Sequence, residues 1–359
     1  MTLVSVVVPV YFNADTLAPL LHELRGVAAR LSDLDFEFLF TDDGSGDHSF
    51  ALLRAEAEAD PRVRALRLSR NFGSNAAILA GLTHARGDCC VVIAADLQDP
   101  PALIPELIEN WQDGAEVVLA ARRYRDDPFP SKQFAALFNR LFRKLVFPDF
   151  PENGFDFLLM SRRVARLLVE MGERNSYIFG QVMWAGFERR IVYYDRAARS
   201  AGVSRWTMTR KIKYFIDAFT AFSYVPVRAA STFGMLLAAT GFLYAIVVAL
   251  FRILGLIQEP GFSAVMVAVL ILSGAQLVVT GLIGEYLWRV LEETRRRPAF
   301  IVASTVNLEP DGHSARSEPA STSDRADVAR ALDRVDPARA SEDATVVIAG
   351  AERGTWPRP

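Results

Sequence analysis

The 359-residue sequence predicts an α/β protein: a mostly parallel sheet covered by helices on both faces, followed by a hairpin of two apolar helices. Three observations lead there. Over the first two hundred residues, apolar β-rich runs alternate with stretches of helical pattern. Further on, two windows of 23 residues contain no charged side chain. Polar and charged residues collect just after the strand-like runs.

The strands are expected at residues 3–10 (LVSVVVPV), 36–41 (FEFLFT), 63–68, 89–94 and 117–120, as short apolar runs of the kind that sheets bury on both faces. Helices are expected at 14–31, 49–59, 74–85 and 102–113, and a helix between successive strands is the connection that parallel pairing requires. Cys89 and Cys90 are adjacent in CCVVIAA, so they point to opposite faces of one strand and read as reduced core residues. Two cysteines exclude a disulfide-dense scaffold. With 40 Lys plus Arg against 42 Asp plus Glu, the net charge of −2 lacks the basic excess of a bulk nucleic-acid binder, and no nucleic-acid partner is expected.

Residues 229–251 and 262–284 are the uncharged windows. At about 1.5 Å per residue each makes roughly 34 Å of helix, enough for a hydrocarbon core of about 30 Å. Arg210, Lys211, Lys213 and Arg228 precede the first window, and Arg289, Arg295, Arg296 and Arg297 follow the second, whereas Arg252 is the one base between them. By the positive-inside rule both flanks are cytoplasmic, which makes an integral protein of the cytoplasmic membrane with both termini inside. Ala230, Gly234, Ala238, Gly241, Ala245 and Ala249 form a small-residue seam on the first window, suited to close helix approach within the hairpin or between protomers of a homo-oligomer. Ile212, Phe215, Ile216, Phe219 and Phe222 fall at helical spacing beside basic residues, so 207–224 is expected to lie as an amphipathic helix at the membrane surface. From about Ser304 onward Ser, Ala, Asp and Arg dominate without periodicity, with ten acids against seven bases, and a disordered tail is expected. The resulting division is 1–204 for the α/β domain, 205–228 for the juxtamembrane helix, 229–289 for the hairpin and 290–359 for a basic stretch and tail.

In open α/β sheets ligands bind beyond the carboxyl ends of the strands. There the sequence places Asp42 and Asp43 (TDDGSGD), Asp96, Gln98 and Asp99 (AADLQDPP), and Arg122 with Arg123. One acidic pair after a strand is ordinary capping chemistry. Two acidic clusters on successive strand ends with an arginine pair fit something more: oxygen ligands suit Mg²⁺ or Mn²⁺, the metal would hold a diphosphate, and arginine suits phosphate oxygens. The bare chemistry is a nucleotide-diphosphate site beside a membrane.

The runs SVVVPVYFNADTL, TDDGSGD, LSRNFGSNAAILAGLTHARGD and AADLQDPP, with RSAGVSRW ahead of two spans, resemble in order the family 2 glycosyltransferases of the polyprenyl-phosphate sugar synthase group, which includes bactoprenol glucosyltransferases. The resemblance covers about residues 3–290 and implies a GT-A domain that moves a sugar from a nucleotide donor, a UDP- or GDP-sugar, to a polyprenyl phosphate with inversion. Carried over by position, it implies that Pro9, Tyr11, Asp42 and Asp43 contact the nucleoside, with Asp15 displaced from its usual place by Phe12. Asp96 and Gln98 would hold the metal, and Arg122 would sit near the transferring phosphate and sugar. Arg199 and Arg205 would bind phosphate at the membrane surface, and Asp156 would lie near the acceptor as a catalytic residue. A cap on a following helix is the plainer role for Asp156.

Two positions depart from the family pattern: Ala94 stands where DADLQDP has its first Asp, and Leu158 where DFRLM has Arg. They favour the other expectation weighed, a catalytically impaired relative that binds sugar nucleotide or a partner at the membrane. A processive polysaccharide synthase is disfavoured by the lack of a QxxRW-type signature and by only two spans.

Overall fold

The computed structural model describes residues 1–123, 131–173, 177–195, 219, 221–254, 262–295 and 297–308. The expected amphipathic helix, apart from Phe219 and residues 221–224, lies outside them, as do Arg199, Arg205 and the tail beyond Leu308.

One eight-stranded sheet organises the protein. Its strands are β1 (Thr2–Val10), β2 (Leu34–Asp42), β3 (Val63–Leu68), β4 (Cys89–Val92), β5 (Val117–Arg122), β6 (Phe157–Ser161), β7 (Arg189–Tyr194) and β8 (Val302–Val306), in the order β7-β5-β6-β4-β1-β2-β3-β8. Pairing is parallel for β1 with β2 and β4, β2 with β3, and β5 with β7; β6 and β8 run antiparallel to their neighbours. The expected strands 3–10, 36–41, 63–68, 89–94 and 117–120 are the first five of these. The expected helices are α1 (Ala14–Arg30), α2 (Ser49–Ala59), α3 (Ser74–His84) and α4 (Ile104–Gln112), the last entered through one 3-10 turn at Pro101–Leu103. They are followed by α5 (Ser131–Leu145), α6 (Arg162–Met171) and α7 (Ile178–Trp184).

Both sheet faces are sealed, which is why the strands are apolar throughout. Val4, Val6, Val8, Phe36, Phe38 and Phe40 pack under α1, α2 and α4 on one face. On the other face Val7, Leu39, Val92, Leu119 and Leu158 meet α3, α6 and an aromatic group from α5 onward. Leu158, the departure from the arginine of DFRLM, is therefore a core residue in register with Val92 and Leu119. Cys89 and Cys90 are buried and free, as expected; burial pushes the Cys90 thiol up to about 12 and the Cys89 thiol higher, so neither is reactive.

A buried charge cluster lies in the sheet at Glu37. Glu37 on β2 pairs with Arg64 on β3 at 2.5 Å, accepts from the Ser5 hydroxyl at 2.5 Å and from the Arg86 backbone N–H at 2.7 Å. Burial opposes the charge on Glu37, but these donors outweigh it and hold its carboxyl below the ordinary range.

Two expectations need correction. The α/β domain does not end near residue 204, and the chain is not without structure from Ser304. After the apolar helices it returns as β8 and pairs with β3, with Ile301 O accepting from Ser69 N at 2.9 Å. Asn307 locks the end of β8, donating to Ala57 O at 2.5 Å and Val63 O at 2.9 Å. A five-residue strand of alternating polarity, VASTV, carries little sequence signal because the edge position leaves it half exposed.

The hairpin consists of α8 (Val225–Ile253) and α9 (Phe262–Thr294), of 29 and 33 residues, both long and apolar enough to cross a membrane. Their large side chains point outward: Met235 is 73% exposed, Leu277 and Val278 are each 72% exposed. A Cβ added at Gly234 or Gly241 would meet nothing within 4 Å, so the small-residue seam is not closed by α9 at those positions. On the domain side Phe222 packs on Phe147 and on Gly180 of α7, and Phe219 meets Phe138 and Phe142 of α5. At the hairpin's end nearest the domain, Arg228 stacks 4.2 Å over Tyr224, Arg295 sits 5.7 Å over Trp288, and Tyr286 Oη donates to Ser223 O at 3.4 Å.

Candidate active site

The carboxyl rim of the sheet collects the polar residues. β6 is antiparallel to β4 and β5, so its beginning lies at the same rim as their ends. Read along the strand order, the rim carries Tyr194 (β7), Arg122 (β5), Asp156 (before β6), Asp96 (after β4), Tyr11 (after β1) and Asp42 (β2). The strand order reverses between β4 and β1, which is where such sheets open a crevice. One lip of that crevice is the β1–α1 turn, the other the turn after β4, and the buried Thr16 hydroxyl joins them by donating to Ala95 O at 2.6 Å.

The β1–α1 turn is held rigidly. Phe12 has φ 57°, unusual for an aromatic residue, and persists because its N–H donates to the Ser45 hydroxyl at 2.9 Å while Asn13 N–H donates to Ser49 Oγ at 3.0 Å. Tyr11 packs edge-on against Phe12, with ring centroids 4.7 Å apart. Pro9 lies in β1 opposite Thr41, whereas Asp15 is exposed in the first turn of α1.

Asp42 and Asp43 are both buried. Asp42 Oδ1 accepts from Ser45 N at 3.2 Å, and Arg67 Nε lies 3.3 Å from Oδ2 without hydrogen-bond alignment. Asp43 gives one oxygen to Phe72 N at 2.7 Å and the other to Gly73 N at 2.9 Å, so it clamps the loop between β3 and α3. Burial pushes both carboxyls up, Asp43 to about 6, against the pull of those amide donors.

Asp96 and Gln98 are half-buried in a turn closed by Gln98 N donating to Asp96 Oδ1 at 3.2 Å, with Leu97 between them at φ 58°. One carboxylate and one amide oxygen are hard donors suited to a divalent cation that takes its remaining ligands from phosphate and water. Among the described residues no group of three or more His, Cys, Asp or Glu could enclose a metal by itself.

Arg122 and Asp156 form an ion pair in which the arginine is buried and the Asp156 side chain is 47% exposed. Burial opposes the guanidinium charge, but Asp156 and then Asp99 outweigh it and hold Arg122 protonated. Asn153 supports the turn by donating to the Arg122 and Arg123 carbonyls at 3.1 and 2.8 Å. Asp156 leads into a strand, so the helix-cap role fails; Ser161 caps α6 instead, accepting from Val164 N at 3.3 Å. Tyr194 donates to the buried Asp99. Sequence reasoning noted Asp99 without giving it a role and passed over Thr16 and Tyr194, whose sites arise only from long-range pairing.

The sequence model of glycosyl transferase family 2 matches residues 5–168. A relative in Bacillus subtilis (strain 168), described as an uncharacterized glycosyltransferase, is 39% identical over 306 residues, which are 85% of this chain and 94% of that protein. The chain belongs to glycosyl transferase family 2 and is a glycosyltransferase. The bactoprenol glucosyl transferase of Shigella phage SfV is 36% identical over 300 residues of this family 2 member, 83% of this chain and 97% of that one. Among solved structures, the mannosyl-3-phosphoglycerate synthase of Rubrobacter xylanophilus aligns with a TM-score of 0.43 at 17% identity, over 72% of this chain and 76% of that one.

Proposed function

We propose that this glycosyltransferase moves a sugar from a UDP- or GDP-sugar to a polyprenyl phosphate at the cytoplasmic membrane face, inverting the anomeric centre. The observation that carries the reading is the Arg122–Asp156 pair on the rim of a sheet whose chain leaves into, and returns from, an exposed apolar hairpin. Likeness to a bactoprenol glucosyl transferase over nearly its whole length supports the acceptor. The stacked pairs Tyr224–Arg228 and Trp288–Arg295 suit the water–lipid boundary, where aromatic and basic side chains gather. A phosphate monoester, with a second pKa of about 6, is largely dianionic at neutral pH and needs little help from a base. The demand is to neutralise the departing nucleoside diphosphate and to align the acceptor behind the sugar carbon.

Asp96 and Gln98 fit one side of a Mg²⁺ or Mn²⁺ ion, which when bound supplies positive charge to the donor diphosphate. Ala94 leaves Asp96 as the carboxylate of that turn, so an ion held there would need further ligands from the donor's phosphates. Tyr11, with Pro9, Asp15, Asp42 and Asp43 around it, frames the nucleoside. Arg122 draws in phosphate oxygens and Asp156 orients the arginine and the acceptor. Arg199 and Arg205 hold the lipid phosphate at the surface.

Membranes holding the protein are expected to transfer sugar to polyprenyl phosphate with Mg²⁺ or Mn²⁺, and chelation is expected to stop the transfer. Asp96→Ala should raise the donor KM, while Asp156→Asn should retain donor binding and lose turnover. Failure of folded protein across a panel of UDP-, GDP- and dTDP-sugars with short and long polyprenyl phosphates would refute the reading.

A further inference from the structure

We propose that Asp99 and Tyr194 are positioning residues that neutralise and fix Arg122 from behind, which lets Asp156 turn from the arginine to the substrates during turnover. The inference rests on the function proposed above and extends it to two residues with no place in that chemistry so far. Arg122 and Tyr194 are direct partners at the ends of β5 and β7, and Arg123 N donates to Tyr194 O at 2.9 Å, so the two side chains start from one locked stretch of backbone. The Tyr194 hydroxyl donates to Asp99, which is fully buried, and the charge of Asp99 favours the protonated Arg122 guanidinium.

The asymmetry of the arrangement gives it a function. Asp99, Tyr194 and Arg122 are each at most 5% exposed, whereas the Asp156 side chain is 47% exposed on the substrate side. A buried guanidinium is costly without a counter-charge. If Asp156 were its sole counter-charge, each departure of Asp156 towards sugar or acceptor would strand the arginine. Asp99 supplies a counter-charge that cannot move, because it is enclosed and held by Tyr194. Burial first, and then the charge of Asp99, push the Tyr194 phenol well above its ordinary value, so it remains a donor throughout the neutral range.

The test compares the wild type with Tyr194→Phe, Asp99→Asn, Arg122→Lys and the Tyr194→Phe/Arg122→Lys double variant in the full-length protein. Sugar transfer to polyprenyl phosphate is followed as kcat and donor KM, alongside the thermal midpoint. A hydrogen bond to a charged group is worth about 1.5–3 kcal/mol, so Tyr194→Phe is expected to lower kcat roughly 10- to 160-fold. Donor KM should stay within about threefold, and because the buried Asp99 loses a donor the midpoint should fall by several degrees at most, so that kcat is read on folded protein and the selective loss of kcat separates positioning from a role in folding. Because Tyr194 acts through Arg122, the double variant should be no slower than Arg122→Lys alone. Asp99→Asn should resemble Tyr194→Phe, and if it fails to fold the tyrosine variant decides alone. Unchanged kcat in Tyr194→Phe, or an equal loss in the lysine background, overturns the inference while wild-type transfer keeps the functional reading intact. Absence of wild-type transfer refutes that reading, and the inference with it.

Discussion

Replacing Gly44 by alanine is expected to damage the proposed donor site and the fold together, and the size of the effect follows from the geometry. Gly44 follows the Asp42–Asp43 pair with φ 68°, a conformation that costs an L-residue about 1–2 kcal/mol, partly offset by about 0.4–1 kcal/mol from the stiffer unfolded chain. Its Cβ would lie 2.6 Å from the Arg70 carbonyl carbon, 2.9 Å from Arg70 Cα and 3.0 Å from Asn71 N. All three are backbone atoms, so no rotamer change relieves the overlap, and overpacking of this kind costs about 1–3 kcal/mol. The sum is about 1–4.6 kcal/mol, or roughly 2–18 °C in the melting midpoint of a domain this size. Restoring a 3.4 Å contact requires residues 70–71 to retreat by roughly 0.8 Å, which would stretch the 2.7 Å bond from Phe72 N to Asp43 to the limit of a hydrogen bond. Donor KM should therefore rise about tenfold or more, equivalent to about 1.4 kcal/mol. Two neighbours serve as controls. Gly73→Ala meets nothing within 4 Å but must hold φ 100° and ψ 158°, so it should cost about 1–3 kcal/mol of strain without the overlap. Gly46→Ala touches Phe12 at an ordinary 3.4 Å and should be within about 0.5 kcal/mol of the wild type. Thermal melts in detergent and donor KM for all three variants test the reasoning, and a Gly44→Ala protein that matches the wild type in both would refute it.

Two further predictions concern titration. Glu37→Gln leaves Arg64 buried without its counter-charge and should cost about 3–5 kcal/mol. Because the folded Glu37 carboxyl is held below its ordinary 4.5, its stabilisation is present above that pH and fades as pH falls through the lowered value; the wild type should therefore lose stability below about pH 4.5 more steeply than Glu37→Gln, and parallel acid-unfolding curves would contradict this. Asp43 has the opposite sign: raised from 3.8 to about 6, it favours the fold while protonated, and up to about 3 kcal/mol is lost as pH rises through 6. The stability difference between the wild type and Asp43→Asn should accordingly fall between pH 4 and 7, and a constant difference would rule the shift out.

The first half of the fold was legible because β1 to β5 are apolar on both faces and are separated by helices of standard length. The second half was hidden for physical reasons. β6 (FLLMS) is short, β7 (RRIVYY) is an edge strand with charged and aromatic residues, and β8 joins β3 across more than two hundred residues of chain. The rim residues Asp42, Asp43, Asp96, Gln98 and Arg122 could be located because strand ends can be read once strands can, whereas Asp156, ahead of the hidden β6, came from the family resemblance alone. Their partners could not. Asp43 spends both oxygens on the loop after β3, Thr16 ties α1 to the β4 turn, and Tyr194 reaches Asp99 from a strand without a motif. Each of those contacts is fixed by sheet order, which composition and periodicity leave open.

The hairpin is joined to the α/β domain at two points, and this explains why the domain places a strand after its apolar helices. Phe219 and Phe222 seat the chain on the aromatic group beside Phe155 and Asp156 as it enters α8. On the return, six residues separate Thr294 at the end of α9 from Ile301, which bonds Ser69 in the loop leading to the Asp43 clamp. The seven Cα steps from Thr294 to Ile301 span at most about 25 Å, so the domain-side end of the hairpin cannot stray far from the loop after β3. A single linker would let the domain swivel above the membrane. On the function proposed above, two attachments on opposite sides of the crevice would restrict that rotation and hold the rim towards the bilayer, where an acceptor phosphate would meet the Arg122–Asp156 side without a search over orientations.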